Sequence, residues 1–161
     1  MRTESKIKGL SISKMESLVE KAADIVHEVV QDDHNQTGAI LVVADSRSGL
    51  PLFMCLVRDL SEQDIRECQF YAMEKATRLA ENSHHQASSQ SRDLSVEPKR
   101  YGGAVRTKNY IFSMSGLTEE QDEAAMLVLG ILTGELEISQ AVRVACPDNF
   151  YFSKLHVKMS P

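Results

Sequence analysis

Four carboxylates, Glu119, Glu120, Asp122 and Glu123, crowd the start of a stretch with helical periodicity. On a helix Glu119 shares a face with Asp122 and Glu123, and Glu120 with Glu123, a spacing at which paired oxygens can take a divalent metal or iron. The same acids complement the positive end of the helix dipole, and the position favours that second reading. They also make this helix start a poor seat for a phosphate or a haem propionate, despite its free amides. Histidine is the other chemistry-bearing type. His27 falls well off the apolar stripe of an N-terminal helix, facing outward near Glu20 and Ala23. His84-His85 sits in a polar stretch and lacks a third ligand at metal spacing. His34 belongs to a helix-end turn, and His156 to the outward side of a strand-like alternation.

The remaining candidates are weaker. Gly102-Gly103 permits positive φ or close approach of backbone to a ligand, and equally a plain turn into a strand. Ser115-Gly116 lacks a Gly-x-Ser-x-Gly elbow and reads as a strand-to-helix turn. Arg58 and Arg106, at strand ends, are cations that could meet a ligand carboxylate, though surface charge is the commoner role. Cys55 and Cys68 lie in apolar contexts and read as small hydrophobes. No catalytic constellation assembles from these residues, so an enzyme using the acid cluster is the least favoured class.

The elements that must position these residues are legible in order. Ser13 with Glu16 predicts a capping box, followed by a stripe at Met15, Leu18, Val19, Ala22, Val26, Val29 and Val30. Gly38 opens Ala39–Ala44, an apolar run typical of a buried central strand; Asp45–Gly49 is a turn, and Leu50–Val57 its antiparallel partner. Ser61 with Asp64 starts a second helix, with Ile65, Cys68, Gln69, Ala72, Met73, Ala76, Leu79 and Ala80 on its stripe. Residues 82–100 are nearly bare of apolar side chains and are expected to form a mobile loop. Ala104–Arg106 and Tyr110–Met114 predict a second strand pair, and Thr118 with Gln121 caps a third helix ending near Gly134. The extension 135–161 alternates at Leu155, Val157 and Met159, which predicts a strand. Met1–Ile12 is expected to be a tail on the surface or exchanged with a neighbour. Strand pairs joined by short turns, with helices between, imply an α+β fold: an antiparallel sheet with helices packed on it.

At 161 residues the chain is expected to be one domain, 1–161, with a single core. A net charge of −5 argues against nucleic acid as a partner. No apolar run reaches membrane-spanning length, no signal-peptide pattern opens the sequence, and three cysteines lack metal spacing or an even count. A cytoplasmic protein is the expectation.

Gly102-Gly103 before a strand, Ser115-Gly116, and Glu120-Gln121-Asp122-Glu123-Ala124 opening a helix together resemble the GlcG/HbpS-like family of haem-binding or "haem-degrading" proteins. A related module closes some corrinoid adenosyltransferases. The similarity runs from Met15 to Gly134 in matching element order. It implies a profilin-like arrangement, a homo-oligomer, and haem or another tetrapyrrole in a cleft between subunits. The glycine pair, the first helix and a neighbour's loop would line that cleft. It makes His27 the iron ligand and His27, Gly102, Gly103, Ser115 and Gly116 the cofactor-binding residues. The family's lining residues are not recognisable beyond the glycines, and a second axial ligand is lacking. Both departures favour the alternative of a non-catalytic interaction or sensor scaffold that uses loop 82–100 or the aromatic tail.

Overall fold

A computed structural model describes residues 6–161. Part of the N-terminal tail therefore lies outside the described residues; within them, Leu10 packs partly buried against the core. The order is α1 (Ile12–Asp32), β1 (Gly38–Asp45), β2 (Pro51–Arg58), α2 (Glu62–Glu81), a short 3-10 turn (Ser88–Ser91), β3 (Ala104–Arg106), β4 (Tyr110–Ser115), α3 (Glu119–Leu132), α4 (Ile138–Ala145) and α5 (Phe150–Met159). The four strands form one sheet in the order β2-β1-β4-β3, and every neighbouring pair is antiparallel. The α+β expectation holds, with both predicted hairpins in place.

Period-2 alternation divides the sheet's side chains between two cores, one on each face, in place of the single core expected. Leu41, Val43, Val57, Val105, Phe112 and Met114 face α1 and α3, with α4 and α5 closing that layer. Ile40, Val42, Ala44, Ala104 and Ile111 face Ala72, Ala76 and Leu79 of α2. β1 is apolar on both faces because helices cover both. The alanines of α2 let its backbone approach the sheet closely.

The helix starts follow their caps. Ser61 Oγ accepts the Asp64 amide at 3.1 Å, and Thr118 and Gln121 form a reciprocal capping box. α1 begins two residues earlier than predicted, because the extended Ser11, not Ser13, accepts the Lys14 amide at 3.2 Å.

Two further expectations are corrected. The extension 135–161 forms α4 and α5 rather than a strand. Phe152, Leu155 and Met159 are spaced by three and four, and Asn149 Oδ1 caps the turn by accepting the Phe152 amide at 3.1 Å. Leu155 is fully buried while Val157 is 74% exposed, so the apparent alternation never shared a face.

Segment 82–100 is built rather than loose. Arg106 donates its amide to Gln86 O at 2.8 Å, and Ala87 bridges Val105, covering the free edge of β3. Asp93 and Arg100 exchange two backbone bonds of 2.9 Å. The Arg78 guanidinium, from α2, donates to Ser88 O, Ser91 Oγ and Tyr101 O while paired with Glu74. Hydrogen bonds here supply the order that apolar burial cannot.

Candidate functional site

One end of the sheet gathers the C-terminal ends of β2 and β4 and the N-terminal ends of β1 and β3. The register requires this: Gly38 lies opposite Arg58, Ile40 opposite Ser115, and Ala104 opposite Ser113. At this end α2 sends Lys75 inward. Its stem follows the apolar stripe between Ala72 and Leu79, and its Nζ donates to Met114 O at 2.7 Å and to Asp122 Oδ2 at 3.2 Å. Asp122 Oδ1 accepts the Leu117 amide at 3.1 Å, tying the β4–α3 turn to the same carboxylate. Both side chains of the ion pair are almost wholly buried. Burial pushes the Asp122 carboxyl up to about 7, only partly countered by the Lys75 ammonium.

Gly103 makes room for this pair. Its φ is +128°, and a Cβ there would stand 2.7 Å from Lys75 Nζ, 2.9 Å from Met114 O and 3.0 Å from Asp122 Cβ. Gly116, with φ +142°, is pressed equally hard against Gly38 O and Ala39. These are the positions where glycine's missing side chain is required. Above the ion pair opens a cleft of about 380 Å³. Tyr71 and Tyr101, edge to face at 5.0 Å, stand on its wall with Cys68, Ser115 and Gly116. Burial pushes up the Cys68 thiol, and the Asp122 carboxylate adds to the shift.

The other acids of α3 are individually partnered. Glu119 accepts from Arg92 Nε at 2.9 Å and from the Gly102 amide at 2.8 Å; burial raises its carboxyl, but these donors more than offset that and hold it low. Glu123 accepts from Ser89 Oγ at 2.7 Å and Asn149 Nδ2 at 3.1 Å, and burial raises its carboxyl. Glu120 accepts the Tyr151 amide at 3.0 Å. A second, larger cleft of about 910 Å³ lies between segment 86–92, the start of α3 and α4. Its lining is mixed, with Gln86, Gln90, Gln140 and Arg143 beside Leu136 and Val144. Among the described residues no group of three His, Cys, Asp or Glu is arranged to hold a metal ion. Asp122 and Glu123 are thus buried tethers and Glu119 a half-buried one, while Glu120 stays exposed, so the cluster is more than a solvated face complementing a dipole.

His27 is exposed on α1, and its Nδ1 lies 3.0 Å from Arg58 Nη1. Arg58, a non-glycine residue at φ +63°, ends β2. The guanidinium has only donors, so Nδ1 accepts and the ring proton sits on Nε2. Gly102, Gly103, Ser115 and Gly116 also lie at this end of the sheet, with the glycine pair leading into β3. β2 and β3 are the two outer strands, three spacings or about 14 Å apart. A single chain therefore aligns His27 with the glycine pair along one rim without bringing them into contact. His84 is exposed, and the buried His85 Nδ1 has no hydrogen-bond partner among the described residues.

Sequence reasoning missed Lys75, Arg92, Ser89 and Asn149. Lys75 had a readable signal, since it occupies an apolar-stripe position three after Ala72 and four before Leu79.

No family model and no curated protein matches the sequence. Among solved structures, the fold is similar to that of protein ORFY of Klebsiella pneumoniae, a DUF336-family protein. The TM-score is 0.55 at 15% identity, over 85% of this chain and 99% of ORFY. The likeness is one of fold alone, an α+β domain of the ORFY type. Among the described residues no helix is long and apolar enough to cross a membrane.

Proposed function

We propose that this chain is a GlcG-like ligand-binding domain that holds a tetrapyrrole, haem in the first instance, against the rim at the glycine end of the sheet. The observation that supports the reading is that His27, through its contact with Arg58, and Gly102, Gly103, Ser115 and Gly116 are spread along that one rim without touching, although they span 90 positions of sequence. The ORFY-like fold supports it, since DUF336 is the GlcG-like family domain.

The residues at hand fit the group on one condition. Ligation through Nε2 needs that nitrogen's lone pair, so the ring proton must move to Nδ1 and Arg58 must let go. Both side chains are exposed, so exchanging that hydrogen bond for water costs only about 1 kcal/mol. A released Arg58 would be free to pair with a propionate. Bound haem would supply an iron centre, which His27 would hold; the chain's own part is to bind and orient the group. A homo-oligomer, with a neighbour completing the rim between β2 and β3, belongs to the same reading, as does a cytoplasmic location.

Titration of the purified protein with haemin tests the proposal. A Soret shift that saturates near one haem per chain and is lost in His27→Ala supports it. No shift, or a shift untouched by that substitution, removes the ligand claim. A second reading, a non-catalytic interaction scaffold, is favoured by the outer edge of β2, which has no partner strand among the described residues. Met54 and Leu56 are exposed there, and Gln69 of α2, next to the exposed Phe70, touches Met54. A protein that stays colourless with haemin but self-associates through this edge, losing association in Leu56→Lys, would fit that reading instead.

A further inference from the structure

The tetrapyrrole reading makes no use of Lys75, although a buried lysine at the floor of a cleft is an uncommon feature. The cleft above it is small, about 380 Å³, with an aromatic wall of Tyr71 and Tyr101. Three carboxylates line it, Glu67, Glu119 and Asp122, against one ammonium. That balance repels anions and disfavours phosphate or carboxylate ligands. It leaves room for a small neutral molecule. As an ammonium, Lys75 Nζ has three protons and, among the described residues, two acceptors, Met114 O and Asp122 Oδ2. Transfer of one proton across the 3.2 Å to Asp122 would replace two buried charges with a neutral amine and a neutral acid. Low-dielectric surroundings favour such a neutral pair.

From the cleft, its charge balance and this contact, we infer that the Lys75–Asp122 pair captures small neutral aldehydes as a Lys75 imine. The step balances within the site. Lys75 passes a proton to Asp122, and the amine lone pair forms the C–N bond while the carbonyl π pair moves to oxygen. Asp122 returns its proton to that oxygen and then accepts a second from nitrogen. Delivery of this second proton to the hydroxyl expels water and leaves a protonated imine. The ammonium thus loses two protons to water and keeps one, and Asp122 ends as the carboxylate facing the iminium. No redox partner is involved. The raised Asp122 carboxyl suits a group that must both take and return a proton near neutrality. The inference stands apart from tetrapyrrole binding: it uses a different nitrogen and a different ligand class.

The experiment is brief exposure of the full chain to propanal with cyanoborohydride at a pH of about 8, where ordinary lysines are still almost wholly protonated and slow and the Asp122 carboxyl, raised to about 7, is ionised and can accept a proton. Peptide mapping by mass spectrometry compares Lys75 with the exposed Lys99 and Lys154. Only an imine is reduced to a lasting adduct, so a thiohemiacetal at Cys68 leaves no mark. Lys75 is expected to label at least about tenfold faster than the exposed lysines, and Asp122→Asn to lower the Lys75 rate alone by about tenfold, as removal of a proton acceptor does. Lys75→Met with Asp122→Leu replaces the pair by apolar groups and is expected to stay folded and to lose only the Lys75-dependent fast phase. Labelling of Lys75 no faster than the exposed lysines, or equally fast in Asp122→Asn, overturns the inference. His27→Ala is expected to leave the labelling unchanged, so failure of either proposal is read separately.

Discussion

Replacing Lys75 and Asp122 together by Met and Leu changes how stability depends on pH, and the direction follows from the site. The Asp122 carboxyl is raised from 3.8 to about 7, with burial as the leading cause. Between those values the folded chain holds a proton that the unfolded chain has lost. Stability contributed by this group is therefore complete below a pH of about 4 and falls as pH rises towards about 7. A shift of this size corresponds to about 4 kcal/mol, a ceiling that relaxation and water entry will lower to about 2–4 kcal/mol. Glu123, also raised by burial, pulls the same way but is present in both proteins and cancels from the comparison. Asp33 and Asp93, held low by side-chain hydrogen bonds from Gln121 and Ser95, act in the opposite sense at lower pH and cancel likewise. Urea unfolding of both proteins at steps between pH of about 4 and 8 is the assay. The wild-type chain is expected to lose about 2–4 kcal/mol more than the double variant over that range. At a pH of about 8 the variant should equal or exceed it, because a buried ion pair is often no better than apolar packing. Superimposable pH profiles would mean that Asp122 does not feel its burial, and the electrostatic account of the site would be wrong.

Gly103→Ala combines a forbidden φ with a Cβ driven onto Lys75 Nζ and Met114 O, and is expected to cost at least about 3 kcal/mol. Gly102→Ala, with ordinary φ and a tolerable 3.1 Å approach to Ser89 Cβ, should cost about 1 kcal/mol; urea midpoints compare the two. In α5, Leu155→Ala is expected to cost about 2–5 kcal/mol and Val157→Ala within about 0.5, whereas a strand with both on one face would have made them alike. Thermal unfolding of the two variants decides it.

Ala39–Ala44 named itself as a central strand because its apolar run needs cover on both faces, and Ser61 and Thr118 marked helix starts because a cap lies within three residues of the amide it satisfies. Both hairpins, the α+β class and the rim glycines were legible for the same reason: each rests on local periodicity or turn chemistry. The α5 error arose where five residues of alternation fitted two periods at once, and only burial of Leu155 against the core separated them. Segment 82–100 read as loose because its composition offers little to bury. Arg78, near the end of the preceding helix α2, supplies hydrogen bonds that order it once the segment folds back over that helix. The acids of α3 looked like a helix-dipole complement from sequence. Their partners, Lys75, Ser89, Arg92 and Asn149, lie 26 to 47 positions away. Local pattern determines which segments become strand or helix, since those interactions span a few residues. Which charge is buried against which, and what cleft lies above them, is decided only when the sheet brings the ends of β3 and β4 under α2, because desolvation and ion pairing depend on through-space distance and not on sequence separation.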